Sequence, residues 1–339
     1  MIQPTTLKGE SVLLISPRFF NYEKVIIETI LTHGGHVSYI DERPGNGFFT
    51  KGLIRLNANL LRIKINRYYY LKLSSLGLEN IFTRVLIISP EAIDESILKD
   101  IKRRYPKAEM ILYMWDSIRN KTGGKKELLF SYFDRILSFD KKDCEALPTI
   151  KFRPLFFSKE YSELSKRSTE AVYDLTFIGS IHSDRFAVCT SVKKIAEKWG
   201  LKTFFYLYLN DKKLFCFSKL FNPAMRSSKY SDFSFSPIPT ETVIEKISES
   251  RCILDVQHPR QTGLTMRTIE VLGSKRKLLT TNSNVKNYDF YDPHNIECIN
   301  RFSPEFSRDF VMKPYHDIDP LVYEKYSVNG WLSDVFGSY

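Results

Sequence analysis

The strongest constraint on the fold is the regular alternation of short, nearly continuous apolar segments with longer amphipathic ones. Strands that are apolar on both faces and separated by helices are typical of a parallel sheet covered on both sides. The first half of the chain is therefore predicted to be one α/β unit. Its predicted strands lie at residues 12–16, 37–41, 85–89, 110–114 and 135–139, and its predicted helices at 21–33, 53–73 and 91–105.

The same pattern starts again after a polar, charged stretch at residues 155–172, which we interpret as a linker. The predicted strands of the second half lie at 175–178, 203–208, 253–256, 277–281 and 296–299; the predicted helices lie at 183–199, 240–248, 264–272 and 320–336, with 211–239 irregular. We therefore predict an α/β protein with two Rossmann-like domains facing across a cleft, where ligands of such sheets bind. The predicted domains are residues 1–160 and 173–318, with residues 319–339 as a terminal helix that packs back on the first domain.

Composition and termini exclude several classes of protein. The amino-terminal sequence MIQPTTLKGE lacks a signal-peptide pattern, and no apolar run approaches the ~20 residues that span a bilayer, which favours a cytoplasmic location. The five cysteines are an odd number without a CxxC pair, so we expect free thiols. We also predict no metal site. His33 and His36 are interpreted as solvated turn residues, and the acidic residues at 289–292 and 317–319 as turns.

Residues 240–282 carry the most informative pattern, a helix, a strand, a Gly-containing loop, a second helix with Glu270, and a second strand. Together with YDLTFIGSIHSDRF at 173–186, this order resembles the donor-binding half of the GT-B glycosyltransferases, which include many bacterial capsule and lipopolysaccharide enzymes. The resemblance is clear over 173–300 and only architectural before that. It implies that the second domain holds a nucleotide-sugar donor, that the first holds the acceptor, and that no metal or other cofactor is needed.

The predicted donor site centres on the loop at residues 260–263. This loop leads into a helix whose amino terminus would face the phosphates, with Arg267 as a bidentate phosphate ligand. The resemblance assigns Glu270 to the ribose hydroxyls. The alternative interpretation is an exposed ion pair between Arg267 and Glu270, and an ordinary turn at Gly179 and Ser180. The predicted donor-binding residues are Gly179, Ser180, Arg260, Thr262, Gly263, Leu264, Arg267 and Glu270.

Two carboxylates follow predicted strands of the first half. An inverting sugar transfer needs a base for the acceptor hydroxyl, and Asp116 is the first candidate because it follows the fourth strand. Asp140, after the fifth strand, is the second candidate. For both residues the alternative is a turn or helix-capping aspartate.

A basic stretch lies in the predicted helix at 53–73, in a chain whose net charge is +11. Arg62, Lys64, Arg67 and Tyr69 are predicted to contact an anionic membrane surface or a lipid-linked acceptor, and Arg18 is a further acceptor candidate. The alternative is a solvated helix face with a tyrosine edge in the core. No nucleic-acid partner is predicted, because no recognition motif accompanies the charge.

These features together predict a glycosyltransferase that moves a sugar from a nucleotide-sugar to a growing surface polysaccharide or lipid-linked glycan. The expected location is cytoplasmic, with peripheral contact at the inner face of the cell membrane. Two alternatives stay open. A sugar-nucleotide epimerase of similar shape would use His182 and His258, and a basic scaffold protein of a polysaccharide assembly complex would lack catalysis.

Overall fold

The computed structural model describes residues 6–45, 47–77, 81–118, 127–166, 170–221 and 225–337. The chain forms two compact units, Met1–Pro154 together with Val328–Tyr339, and Leu155–Ser327. Within the described ranges, no helix combines the length and the apolar character needed to cross a bilayer.

The strands and helices follow the predicted alternation closely. The strands are β1 Ser11–Ser16, β2 His36–Asp41, β3 Arg84–Ile88, β4 Glu109–Met114, β5 Arg135–Ser138, β6 Lys151–Phe152, β7 Tyr173–Ser180, β8 Thr203–Tyr208, β9 Ser250–Asp255, β10 Lys277–Thr280 and β11 Ile296–Cys298. The helices are α1 Tyr22–Thr32, α2 Phe48–Asn57, α3 Arg62–Ser75, α4 Glu95–Arg104, α5 Lys141–Ala146, α6 Lys159–Leu164, α7 Arg185–Lys198, α8 Lys212–Phe221, α9 Thr240–Ser248, α10 Met266–Gly273, α11 Arg308–Met312, α12 Pro320–Lys325 and α13 Val328–Phe336.

Each unit is built on its own parallel sheet. In the described part of the chain, the first sheet has the order β2-β1-β3-β4-β5-β6 and the second the order β11-β10-β9-β7-β8. All of their pairings are parallel. The central strands are buried on both faces, as their apolar composition requires. The prediction of two Rossmann-like α/β units is confirmed.

The last helix belongs to the first unit. Trp331 of α13 is fully buried and packs edge-on against Tyr113 of β4, with ring centroids 5.0 Å apart. Arg153 and Asp334 form an ion pair of 2.8 Å that also ties α13 to this unit. The single helix predicted at 320–336 is wrong. The chain leaves the helical conformation between α12 and α13, where the Tyr326 carbonyl accepts a hydrogen bond from the Phe157 amide at 2.9 Å.

The single long helix predicted at residues 53–73 is also wrong. Helix α2 ends at Asn57, a 3-10 turn covers Ala58–Leu61, and α3 follows. Asn57 has an extended backbone, and its side chain accepts a hydrogen bond from the Asn59 amide at 3.1 Å. This local side-chain bond competes with the helical hydrogen bonds and so breaks the helix.

Two stretches predicted to lack regular structure contain helices. The predicted linker carries α6, and its apolar side chains Phe156, Phe157 and Tyr161 are almost fully buried. The stretch at 211–239 contains α8 and a 3-10 turn at Tyr230–Asp232. Both stretches are polar in overall composition, but each has a few aromatic side chains that are buried in the core and stabilise its helix.

Candidate active site

Polar side chains gather at the carboxyl edge of the second sheet. Because the strands are parallel, the residues that follow β7, β9, β10 and β11 meet at the same edge. The side chains that follow these strands are His182, Asp184 and Arg185 after β7, Gln257 and His258 after β9, Thr281 and Asn282 after β10, and Arg301 after β11.

Arg185 fixes two of the strand ends. Its Nη1 donates to the carbonyl of Ser180 and its Nε to the carbonyl of Val256, both at 2.7 Å. Gly179 lies beneath this guanidinium, and a Cβ there would be 3.0 Å from the Phe177 ring and 3.5 Å from Arg185 Nη1. Gly179 and Ser180 are the last residues of β7 rather than the loop residues that we predicted, because their pairing with β8 continues to Ser180.

Arg301 joins three of the strand ends and was not identified from the sequence. Its guanidinium pairs with Asp184 at 2.6 Å, donates to the Gln257 carbonyl at 2.7 Å and donates to the Thr281 hydroxyl at 3.2 Å. The side chain is only 11% exposed. It follows a three-residue strand that carries no recognisable motif, so nothing in the sequence separates Arg301 from other surface arginines.

Two histidines lie side by side at the same edge. The ring centroids of His182 and His258 are 5.5 Å apart. His182 is partly exposed to solvent. Partial desolvation of its ring, followed by the positive charge of Arg185, lowers the pKa of His182 to about 4. His182 is therefore neutral at pH 7. A bound anion would offset the charge of Arg185 and raise this pKa.

Two asparagine side chains donate hydrogen bonds to backbone carbonyls of the predicted donor loop. Asn282 Nδ2 donates to the Gly263 carbonyl at 3.2 Å, and Asn284 Nδ2 donates to the Thr262 carbonyl at 3.2 Å. Arg260 lies in the same loop with its side chain exposed, whereas Leu264 is buried. Leu264 is only 2% exposed as a whole residue, so neither its side chain nor its backbone is open to solvent.

Helix α10 begins at Met266 rather than at the predicted Leu264. Thr265 is its N-cap, because the Thr265 side chain accepts a hydrogen bond from the Thr268 amide at 3.1 Å. The hydroxyls of Thr265 and Thr268 donate to Asp255 Oδ2 at 2.6 and 2.8 Å. Asp255 was not among the predicted site residues, and it is 4% exposed. A carboxylate at a helix amino terminus is favourable, so Asp255 anchors the start of α10.

Arg267 and Glu270 form an ion pair of 2.7 Å on α10. The alternative interpretation predicted an exposed ion pair. The pair is formed, but the exposure is wrong, because the two side chains are only 19% and 10% exposed. Tyr161 of α6 is in hydrogen-bonding contact with both, and burial together with the charge of Glu270 raises the Tyr161 pKa well above its ordinary value. The phosphate role of Arg267 and the ribose role of Glu270 stay predictions.

The two predicted catalytic carboxylates differ in exposure. Asp116 is exposed directly after β4, at the carboxyl edge of the first sheet. Asp140 is 1% exposed and is the N-cap of α5, where it accepts hydrogen bonds from the Lys142 amide at 3.1 Å and from the Ser117 hydroxyl. The helix-cap interpretation thus describes Asp140, and Asp116 is the solvent-exposed carboxylate of the two.

Aromatic side chains surround this edge of the first sheet. Phe19 and Phe20 are 44% and 71% exposed, and the Phe19 ring centroid is 5.8 Å from that of Trp115, the neighbour of Asp116. Phe20 and Asn21 have left-handed backbones with φ of 47° and 62°. A bulky residue with positive φ is strained, and such strain is concentrated at functional sites. Beside them Arg18 pairs with Asp41 at 3.2 Å.

Three residues of the predicted basic surface lie on the exposed side of α3. Arg62, Lys64 and Arg67 are exposed, with Arg62 3.7 Å from Asp94. The assignment of Tyr69 to this surface is wrong. Tyr69 is 1% exposed, and its hydroxyl donates to the Glu42 carbonyl at 2.8 Å, because its position on α3 faces the sheet. Exposed apolar side chains lie along the same segment, namely Leu56, Leu60 and Ile63.

Comparison with solved structures identifies the architecture. An α-glucosyltransferase solved with UDP and a 13-mer DNA is 13% identical, with a TM-score of 0.57 and coverage of 95% of this chain and 94% of that one. HepE of Anabaena, solved with UDP and glucose, is 7% identical, with a TM-score of 0.56 and coverage of 97% and 99%. A putative UDP-N-acetylglucosamine 2-epimerase from Listeria monocytogenes is 9% identical, with a TM-score of 0.50 and coverage of 97% of each chain.

No protein-family model matches the sequence, and no curated protein matches it significantly. At these identities the similarity establishes the GT-B fold, two parallel-sheet Rossmann-like units, and nothing finer.

Proposed function

We propose that this protein is a glycosyltransferase that takes a sugar from a nucleoside-diphosphate donor. The observation that carries this proposal is the cationic carboxyl edge of the second sheet. Arg185, Arg301 and Arg260 lie there beside two histidines, at the edge where open parallel sheets bind their ligands. Two of the structural neighbours were solved with UDP, which makes uridine diphosphate sugars the first donors to test.

The charges of this edge suit a leaving diphosphate. Arg185 bonds to two backbone carbonyls, and no carboxylate of the described residues forms an ion pair with it, while the negative charge of Asp255 acts on it from a greater distance. Arg260 is exposed on the adjoining loop. Fixed guanidinium groups that face a developing phosphate charge stabilise a transition state without reorganisation. In this proposal Arg267 and the 260–264 loop add to the phosphate site, and Glu270 orients the nucleoside.

The chemical step exchanges one bond at the anomeric carbon. The acceptor hydroxyl oxygen forms a bond to this carbon, the bond to the diphosphate oxygen breaks, and the hydroxyl proton passes to Asp116. The nucleoside diphosphate leaves with the bonding electrons. This role for Asp116 applies to an inverting reaction, because a retaining reaction does not require such a base.

For the acceptor we propose a glycan carried on a lipid or a growing surface polysaccharide. Sugar rings pack their apolar faces on aromatic side chains, and Phe19, Phe20 and Trp115 offer such faces beside Asp116. The exposed surface of Leu60, Ile63 and the basic residues of α3 suits the headgroup region of an anionic bilayer. Both acceptor features belong to the first unit.

A sugar-nucleotide epimerase is the second candidate. The close approach of His182 and His258 favours it, because epimerisation needs groups that move protons at the sugar. The fold is shared with a putative epimerase. Asp184 is the carboxylate that follows β7 together with His182, and it pairs with Arg301.

Incubation with UDP-sugars distinguishes these activities. Product analysis by NMR should show UDP released slowly without acceptor, and faster with a lipid-linked or oligosaccharide acceptor. Asp116→Asn should lower transfer by at least about a hundredfold, in line with the 10²–10⁴ contribution of a general base. Asp309→Asn, at an exposed position on α11, is the matched control and should leave transfer unchanged.

Other outcomes would assign a different function. Interconversion of two UDP-sugars without release of UDP would identify the epimerase. Absence of both reactions across donors, with strongly salt-dependent binding of duplex DNA, would replace the proposal with nucleic-acid binding.

A further inference from the structure

Asp292, His294 and His316 come together at the amino edge of the second sheet. Asp292 and His294 lie just before β11 begins at Ile296, so they occupy the edge opposite the proposed donor site. His294 Nδ1 is 2.8 Å from Asp292 Oδ1, and His316 Nδ1 is 2.5 Å from Asp292 Oδ2. The possible ligand atoms of the three side chains all lie within 4.8 Å of one another.

The backbone holds the three residues in place. The amide of His294 donates to Asp292 Oδ1 at 2.8 Å. Asn295, which is 3% exposed, makes a reciprocal pair with His316, because its Nδ2 donates to the His316 carbonyl at 2.6 Å and its Oδ1 accepts from the His316 amide at 2.8 Å. This pair fixes His316 opposite the 292–295 turn. No metal site was predicted from the sequence, because no histidines or cysteines in it have the spacing of metal ligands. His294 and His316 are distant along the chain and come together through the folding of the second unit.

We propose that Asp292, His294 and His316 form a binding site for a late first-row divalent cation, with zinc as its natural occupant. Two imidazole nitrogens and one carboxylate oxygen are a ligand set that zinc accepts in tetrahedral geometry, with water as the fourth ligand. Zinc is bound at about 2.0–2.2 Å from such atoms, in place of the hydrogens that now link the carboxylate to the rings. Both rings are mostly exposed, with side-chain exposures of 72% and 65%, so an ion can enter from solvent.

The bound ion would join two segments of the second unit. The 292–295 turn leads into β11, and His316 lies on the segment before α12, where Lys275 also holds Asp317 at 2.6 Å. The site would therefore clamp this segment to the sheet and would be structural. It lies outside the groups used in the proposed sugar transfer, so its presence does not depend on that proposal.

Isothermal titration of the metal-free full-length protein with zinc chloride tests the site. We expect one equivalent to bind, and we expect His294→Gln and His316→Gln each to weaken this binding by at least about tenfold. Because both side chains are exposed, the variants should retain the unfolding temperature of the metal-free protein. His36→Gln, an exposed histidine on β2, is the matched control and should bind as the wild type does.

Cobalt provides a second readout that does not depend on heat. Co²⁺ should give visible absorption bands of tetrahedral intensity in the wild type and in His36→Gln, and weak bands in the two site variants. The proposal is overturned if the wild type binds no zinc, or if its zinc binding and cobalt spectrum persist unchanged in the His294→Gln, His316→Gln double variant.

Discussion

The replacement of Gly273 by alanine tests the packing that holds the end of helix α10. Gly273 is the last residue of that helix, and in a helix interior alanine stabilises by about 0.5–1 kcal/mol relative to glycine, which is an upper bound at this position. Here a Cβ would lie 2.5 Å from Cγ, 2.7 Å from Cβ and 2.8 Å from Cδ2 of Phe157. These distances are far below van der Waals contact, so the Phe157 side chain or the helix has to move.

Phe157 has little room to move. It is 1% exposed, and its ring centroid is 4.8 Å from that of Tyr323, whose hydroxyl bonds to the Gly273 carbonyl at 2.5 Å. Overpacking of a tight core costs about 1–3 kcal/mol, which exceeds the gain in helix propensity. We expect Gly273→Ala to destabilise the second unit by about 1–2 kcal/mol, and to lower its unfolding temperature by roughly 2–8 °C.

Scanning calorimetry is the assay, because the two units need not unfold in one transition. Gly52→Ala is the matched control, since Gly52 lies inside helix α2 with nothing within 4 Å of a built Cβ. This variant should stabilise by up to about 1 kcal/mol. Phe157→Leu in the Gly273→Ala background should recover part of the loss. If Gly273→Ala stabilised the protein as Gly52→Ala does, the contact with Phe157 would not be closed to a methyl group.

Three further predictions concern charge and strain. Burial raises the pKa of Glu42 from 4.5 to about 7, so the folded state binds this proton more tightly and the free energy of unfolding falls as pH rises between these values. Between pH 5 and pH 8, chemical unfolding should show a smaller fall in this free energy for Glu42→Gln than for the wild type, the difference being at most roughly 3 kcal/mol. Equal falls in the two proteins would contradict the assignment. A double-mutant cycle of Arg267→Met and Glu270→Gln should give a coupling energy of about 1–3 kcal/mol in urea unfolding, whereas additive effects would mean that the buried pair is not formed. Phe20→Gly should stabilise the protein by roughly 1 kcal/mol, because glycine adopts a left-handed backbone without strain, and it should also reduce sugar transfer. A lower unfolding temperature of this variant would show that Phe20 is not strained.

The two sheets could be predicted because their strands are buried on both faces. Such strands are nearly uniform in apolar character, and ten of the eleven described strands correspond to predicted ones. The exception, β6, has only two residues and leaves no pattern. Errors arose where side chains act on the backbone. Asn57 interrupts a helix by local capping, and Thr265 shifts the start of α10.

The candidate site was less predictable than the fold. The loop near Arg260 could be predicted because glycine and threonine precede a helix. Its hydrogen bonds from Asn282 and Asn284 could not be predicted, because they depend on the order of the strands in the sheet. Arg301 gains its role only when distant strand ends meet, and Asp255 gains its role only because the end of β9 lies beside the start of α10. Tyr69 shows the converse error, because an aromatic residue within a basic stretch was placed on the surface although its helical position points inward.

The most direct test of the proposed donor site is the affinity of UDP for three single variants. Arg301→Gln and Arg260→Gln remove a guanidinium from the carboxyl edge of the second sheet, whereas Arg308→Gln removes an exposed one from α11. A charged hydrogen bond contributes about 1.5–3 kcal/mol, so we predict at least about tenfold weaker UDP binding for the first two variants by isothermal titration, and wild-type affinity for the third. UDP binding that is equal in all three variants, or absent from the wild type, would contradict the assignment of this edge as the nucleotide site.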